Sequence, residues 1–287
     1  MPAVSVCIPT YEPNPDHLAA AIESVFAQTF ADWELIVRDD ASETDVRGVV
    51  RPFLGDARVK FLRNDKRIGI GGNWNACARP AEGEFIAYLF QDDLWNPKYL
   101  ERSVNILTDN PDIGFTAAQH SYRIEGATAA VSAGIYKEVD DARAGAMKEG
   151  RIAREDFLRM WIGRGLRPNL IGEPSFVVLR RSTIERAGPF LENMKQGLDS
   201  EYWMRCLLGG DAWWIVENSG EFRVHPSSAT ERNDEQCAGK RDRLRMFRIL
   251  INALPSGEMK MLAKRALRRT FFGMAWKFVK RRLFRKM

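Results

Sequence analysis

The chain has 287 residues, 45% of them hydrophobic and 28% charged, enough to bury a large core in one α/β domain or in one domain with an appendage. No apolar run approaches the roughly 20 residues that span a bilayer, and the chain enters an apolar strand-like run, Val4-Ser5-Val6-Cys7-Ile8, with no positively charged leader segment before it. Four dispersed cysteines (Cys7, Cys77, Cys206, Cys237) and three histidines (His17, His120, His225) show neither zinc nor disulfide spacing, which suits buried thiols in a reduced, cytoplasmic setting. The net charge of +5 is uneven: eleven Lys or Arg and no acid lie from Met259 onward, so the rest of the chain is net acidic. That balance argues against nucleic acid as a partner of the main domain.

Strand-like and helix-like patterns alternate through the first hundred residues, the signature of a mostly parallel sheet covered by helices. Strands are predicted at 4–9, 33–38, 58–62 and 84–90. Between them, Leu18, Ala21, Ile22, Val25 and Phe26 recur at helical spacing over 16–28, with Asp16 as the expected cap. A short helix is predicted at 45–53, another from Ile70 to just before Pro80, and a third from Pro97, a residue suited to a first helical turn. A strand follows at 113–118. Residues 120–172 show little periodicity apart from a helix at 153–161. Order returns with a strand at 175–179, helices at 182–187 and 199–208, and strands at 212–216 and 221–224. Residues 236–252 and 258–283 read as helices. The expected division is an α/β domain over 1–230, in halves at 1–118 and 119–230, followed by a basic helical extension over 231–287.

Two acidic doublets stand at strand exits: Asp39-Asp40 after 33–38 and Asp92-Asp93 after 84–90. Adjacent carboxylates repel, so such a pair needs a cation or hydrogen-bond donors to offset its charge. Open α/β sheets bind ligands beyond the carboxyl ends of their strands. In a parallel sheet, the exits Pro9-Thr10-Tyr11, Asp39-Asp40, Arg63-Asn64 and Asp92-Asp93 converge on one edge, a set suited to a nucleotide's base, ribose and diphosphate. Gly69-Ile70-Gly71-Gly72 lacks the spacing of a dinucleotide loop. It reads as a flexible lead into the following helix, with Asn73 and Asn75 as candidate pocket residues.

Several spaced segments together resemble the family 2 glycosyltransferases of the GT-A fold. They are 4–12, ending Pro9-Thr10-Tyr11-Glu12; Ser24-Val25-Phe26-Ala27-Gln28-Thr29-Phe30; Trp33 through Ser42; Asn64; 69–75; Glu82-Gly83-Glu84-Phe85-Ile86; and Gln91-Asp92-Asp93. Pro174-Ser175-Phe176-Val177, Gly188-Pro189-Phe190, Asp199-Ser200-Glu201-Tyr202-Trp203 and Phe222-Arg223-Val224-His225 extend the likeness over about 3–230. The resemblance implies inverting transfer of a sugar from a nucleotide-sugar, a UDP-sugar above all, to a glycan or lipid-linked saccharide hydroxyl. Asp40, with Asp39, would accept from the uracil or ribose, and Thr10 and Tyr11 would flank the base. Asp93 would bind Mg²⁺ or Mn²⁺ and Asp92 the donor ribose or sugar, while Arg223 and His225 would reach the diphosphate or the metal. Asp199 would be the general base, although Leu198 stands where the family has a Glu; without the resemblance the same residue reads as a helix N-cap. The spanning helices and Gln-x-x-Arg-Trp motif of processive synthases are absent, so the resemblance implies single additions.

Two rival readings are a nucleotidyltransferase, which would place a Gly-rich basic loop where Pro9-Thr10-Tyr11-Glu12 stands, and a non-catalytic nucleotide-sugar binding module. Trp161, Trp213 and Trp214 are either acceptor-stacking or core residues. In the tail, Leu267, Phe271, Met274 and Phe278 form one helical stripe, and Phe272, Trp276, Val279 and Leu283 a second, with basic residues between. This pattern fits either a peripheral anchor on an anionic membrane or a helix packed on the domain.

Overall fold

A computed structural model describes residues 1–125, 129–224 and 238–284. Strands β1 (Val4–Thr10), β2 (Trp33–Asp39), β3 (Val59–Arg63) and β4 (Phe85–Tyr88) run parallel in the order β3-β2-β1-β4. The sheet continues through β9 (Val177–Arg180), β6 (Ile113–Ala118), β10 (Asp211–Ile215) and β8 (Gly150–Ile152), of which β9 and β8 are antiparallel to their neighbours. Every residue of β1 is buried, as expected of a central parallel strand covered on both faces. A second sheet of three short strands joins β5 (Leu94–Trp95), β11 (Gly220–Val224) and β7 (Ser121–Ile124).

Helices α1 (Pro15–Phe26), α2 (Val46–Val50), α3 (Ile70–Ala78) and α4 (Tyr99–Asp109) cover the first half of the sheet. The cap of α1 is Asn14, whose side chain accepts from the Asp16 and His17 N–H groups; Asp16 itself lies inside the first turn. Asn14 takes that place because Pro15, which has no N–H to donate, fills the first helical position. Asp45 caps α2 through Gly48 N at 2.9 Å.

Among the described residues, the patternless stretch after residue 120 contains regular elements. It holds β7, α5 (Ala129–Ala146), β8 and α6 (Arg154–Gly163). One reason it escapes a periodicity search is Arg143, which reads as surface but is buried by ion pairing. Ser175 belongs to a 3-10 turn at Pro174–Phe176 rather than to the strand that follows. Helices α7 (Arg181–Ala187) and α8 (Leu198–Gly209) complete the second half.

The C-terminal helices α9 (Ala238–Ala253) and α10 (Glu258–Phe284) share the main core. Met246, Phe247, Leu250, Ala263 and Ala266 are buried in the same apolar cluster as Trp161, Trp203 and Trp214. Asp242 on α9 also accepts from the Lys195, Gln196 and Gly197 N–H groups at 2.8–3.2 Å, holding the turn that launches α8. Trp161 and Trp214 are thus core residues. Trp213 is half-buried and donates to Glu149.

Candidate active site

Parallel register places Thr10 opposite Asp39 and Asp39 opposite Arg63, so the ends of three strands lie level along one edge. Asp39 is fully buried and accepts from Ser42 N at 3.1 Å, from Ser42 Oγ and from the Arg63 guanidinium. Asp40 accepts from Asn64 Nδ2 at 2.9 Å and from the Ile68 and Gly69 N–H groups at 2.8 Å each. These bonds fold the β3–α3 loop over Asp40, and Gly69 takes a φ of +85° there that suits glycine. Asn64 also accepts from Arg38 at 2.8 Å, and Asn73 accepts from Asn64 while donating to Thr10 O and Arg38 O. On the near side, Gln91 accepts from Thr10 Oγ1 at 2.7 Å and Tyr11 N at 2.8 Å, and the Arg67 guanidinium lies 4.1 Å from the centre of the Tyr11 ring.

Two of the expected pocket residues serve as ties. Glu12 receives Glu43 N at 2.7 Å and the Thr44 hydroxyl at 2.7 Å, bonds that hold its carboxyl below the usual range. Asn75 exchanges bonds with both backbone groups of Phe190, at 2.8 and 3.0 Å, and so joins α3 to the turn after α7.

Asp93 is fully buried, whereas Asp92 is partly exposed. The Asp93 oxygens accept from Ser175 Oγ and from Arg223 N at 3.0 Å. Burial, reinforced by the adjacent Asp92 charge, pushes the Asp93 carboxyl well above its ordinary value. The Arg223 side chain donates to Asp92 O at 3.1 Å and to Glu125 at 2.6 Å, fastening β11 to the acidic turn. His225, the other expected metal ligand, lies outside the described residues. Among the described residues no three His, Cys, Asp or Glu side chains are grouped to hold a metal ion. The Asp92–Asp93 pair nonetheless supplies hard oxygen donors, and the burial and like charge at Asp93 are what a divalent cation offsets. The donor set fits such an ion.

Gly197 is the cap residue of α8, and Asp199 lies within the first turn. Asp199 is not the cap residue, but its Oδ1 accepts from the first-turn Ser200 N at 2.6 Å, and Oδ2 accepts from Asn169 Nδ2 at 2.8 Å. Burial, with a further push from the Glu173 charge, raises its carboxyl to about 6, against those two bonds. A carboxylate with that affinity is suited to accepting a proton near neutral pH. Glu201, on the same turn, is fully buried and paired with Arg205 at 2.7 Å. It has a structural role.

Residues 169–175 connect the two acidic centres. Asn169 bonds Asp199 at one end of this strap and Ser175 bonds Asp93 at the other. Six peptide steps span at most ~20 Å when extended, and the Glu173 charge between them acts on both carboxyls. Glu173 is itself held by His120 Nε2 at 2.7 Å and by buried Arg143 at 3.3 Å, and His120 stacks on Phe176 at 4.1 Å. Nothing in sequence spacing marks Asn169, Glu173, His120 or Arg143, because they meet only through tertiary contacts. Ser175 stood inside a quoted motif, but without a role.

The fold is an α/β sheet with polar side chains gathered at the exits of its parallel strands, and comparison with known proteins gives the family. The model of the glycosyl transferase family 2 matches residues 5–152, just over half of the chain, and the protein belongs to that family. A UDP-Glc:α-D-GlcNAc-diphosphoundecaprenol β-1,3-glucosyltransferase of Escherichia coli, WfgD, is 40% identical over 108 residues, covering 37% of this chain and 42% of that protein. A GalNAc(5)-diNAcBac-PP-undecaprenol β-1,3-glucosyltransferase of Campylobacter jejuni is 32% identical over 160 residues, covering 55% and 48%. The chain thus spans under half the length of both. Among solved structures, S. aureus TarS in complex with UDP-GlcNAc superposes with a TM-score of 0.69 at 15% identity, covering 93% of this chain and 71% of that one. A Pyrobaculum calidifontis mannosyltransferase in complex with GDP-Man and Mn²⁺ gives 0.63 at 16% identity, covering 96% and 75%. These structural likenesses establish a GT-A-type fold. No helix among the described residues is long and apolar enough to cross a membrane.

Proposed function

We propose that the protein transfers a hexose with inversion from a UDP-sugar to a hydroxyl of a lipid-linked saccharide in cell-surface glycan synthesis. The observation that supports this most directly is the 169–175 strap, which ties a carboxylate of raised proton affinity to the buried Asp93 of the acidic pair at the sheet's ligand edge. The curated relatives named above act on undecaprenyl-diphosphate-linked sugars, and TarS binds UDP-GlcNAc.

In this reading the Tyr11 ring and the Asp40 carboxylate receive the nucleobase, Thr10 and Asp39 shape its floor, and Asn64 and Asn73 keep Asp40 in place. Asp92 faces the ribose or sugar, and Asp92 and Asp93 would hold a divalent cation, each Asp93 oxygen keeping a lone pair beyond its protein donor. When bound, that cation neutralises the charge that develops on the departing diphosphate. Arg223 keeps the acidic turn in register. Asp199 accepts the proton of the acceptor hydroxyl as its oxygen attacks the anomeric carbon, and direct displacement inverts that centre. The proton ends on Asp199, the new C–O bond forms and the bond to the diphosphate breaks.

The basic tail suits peripheral contact with the anionic inner face of the cytoplasmic membrane. Leu262 and Leu267 pack on the core, but Phe271 and Phe272 are 56% and 68% exposed next to Arg268 and Arg269. The packing of the first half, with exposed phenylalanines beside arginines beyond it, supports a reading in which the continuation of the helix meets the membrane. Replacing both Phe271 and Phe272 by Ser should weaken sedimentation with phosphatidylglycerol vesicles; unchanged binding would refute the contact. For the reaction, UDP-glucose, UDP-GlcNAc and GDP-mannose with Mn²⁺ should be screened for thermal stabilisation and for release of the nucleoside diphosphate. Failure of every UDP-sugar to do either would overturn the proposal.

A further inference from the structure

Asn169 has no part in the reaction as described, yet its side chain is fully engaged. Nδ2 donates to Asp199 Oδ2 at 2.8 Å and to Gly172 O at 2.9 Å, and Oδ1 accepts from Gly172 N at 3.1 Å. The amide is thus locked in a small ring with Gly172. Gly172 is fixed in turn: its carbonyl accepts from Trp203 Nε1 at 2.8 Å, and Trp203 lies on α8, the helix that bears Asp199. Its φ of +106° favours glycine, and a Cβ there would lie 2.6 Å from the Arg143 guanidinium. Strap and helix are therefore coupled twice, once through Trp203 and once through the Asn169–Asp199 bond.

We infer that Asn169 is the positioning residue of the catalytic base, clamping Asp199 Oδ2 so that the carboxylate stays ionised and turns its remaining lone pairs toward the acceptor hydroxyl. This rests on the reading of Asp199 as that base. The chemistry of the clamp is specific. An amide N–H donates to the carboxylate and cannot take its proton, so it favours the charged form without competing as an acid. Ser200 N holds the other oxygen at 2.6 Å, which leaves the plane of the carboxylate defined from both sides. Other charges bear on the same group. Glu173, paired with His120 and Arg143, opposes ionisation from the strap. On the facing helix α9, Asp242 caps the turn at 195–197 that precedes α8. Asn169 is the side-chain donor that works against burial and Glu173.

The test uses the full chain with Asn169→Ser, whose hydroxyl is one bond shorter and keeps only the local tie to Gly172, and with Asn169→Asp. Titration of the Asp199 carboxyl by ¹³C NMR, assigned by its loss in Asp199→Asn, should give about 6 in the wild type. It should move up by about one unit in the Ser variant and further in the Asp variant. With UDP-glucose or whichever UDP-sugar is turned over, the acid limb of kcat should move with it. The kcat plateau should fall on the order of tenfold to a hundredfold while the donor KM holds. A loss of rate that is uniform with pH, with an unmoved Asp199 titration, overturns the clamp and leaves only a structural role. If either variant fails to fold, the Asn169 side-chain amide of the wild type decides: its ¹⁵N shift must titrate together with Asp199, and a flat shift overturns the inference. Full turnover by Asp199→Asn would instead sink the base reading, a result distinguishable from failure of the clamp.

Discussion

Glu173→Gln probes the device that holds the strap between the two acidic centres. Burial disfavours the Glu173 charge, but the His120 imidazole at 2.7 Å and the Arg143 guanidinium outweigh it and hold the carboxyl at about 2 rather than 4.5. A displacement of that size corresponds to about 3 kcal/mol at about 1.4 kcal/mol per unit. Because the folded-state affinity for the proton is lowered, the unfolded chain takes the proton first. The stabilisation is therefore fully present above about pH 4.5 and is lost as pH falls toward 2. Glutamine keeps the shape, removes the charge and leaves the 2%-exposed Arg143 side chain without its buried partner. Urea unfolding followed by tryptophan fluorescence at pH 7, 5 and 3 should show the variant about 3 kcal/mol less stable at pH 7, with the gap to wild type closing toward pH 3. A gap that does not change with pH, or one below about 1 kcal/mol at pH 7, would refute the assigned ion pairing.

Other substitutions test neighbouring parts of the same account. Gly172→Ala meets both a positive φ and the Arg143 guanidinium, and should destabilise by about 1–3 kcal/mol in chemical unfolding. Asp242→Ala removes one acceptor from three backbone N–H groups and should lower the melting temperature, with a loss of about 1–3 kcal/mol. Asp40→Ala should abolish UDP binding in calorimetry and unfasten the β3–α3 loop, read as faster amide exchange at Ile68 and Gly69. Asp199→Asn should stabilise the fold. The raised proton affinity means that the folded state binds the proton more readily, so the native Asp199 lowers stability as pH rises through about 6. After a discount for its partial exposure the gain at pH 8 is about 2 kcal/mol and vanishes near pH 4; a variant less stable than wild type at pH 8 would contradict it.

The parallel half of the fold was legible because its signals are local. Continuous apolar runs become buried parallel strands, and the doublets at their exits fall on one edge for topological reasons. Side-chain roles were less legible. Asn14 displaced Asp16 as a cap because of its place before Pro15, and Asp199 moved inside the first turn once Gly197 ended the preceding loop. Asn75 has the look of a pocket residue but pairs with Phe190, 115 positions away. Arg143 and Glu173 read as solvent-facing charges, and only the folded structure shows that each buries the other. The sequence left open whether the basic extension packs on the domain or lies on a membrane. Its helices place Met246 and Phe247 in the core, because their apolar residues have a partner surface on α6 and α8 that no local pattern announces.

The most direct measurement compares wild-type protein and Asp199→Asn for release of UDP from a panel of UDP-sugars, with Mn²⁺ and an undecaprenyl-diphosphate saccharide acceptor. The account predicts turnover by the wild type, a loss of about a thousandfold or more in the variant, and unimpaired UDP binding by both. Equal turnover by the two proteins, or none by either with any donor, would contradict it.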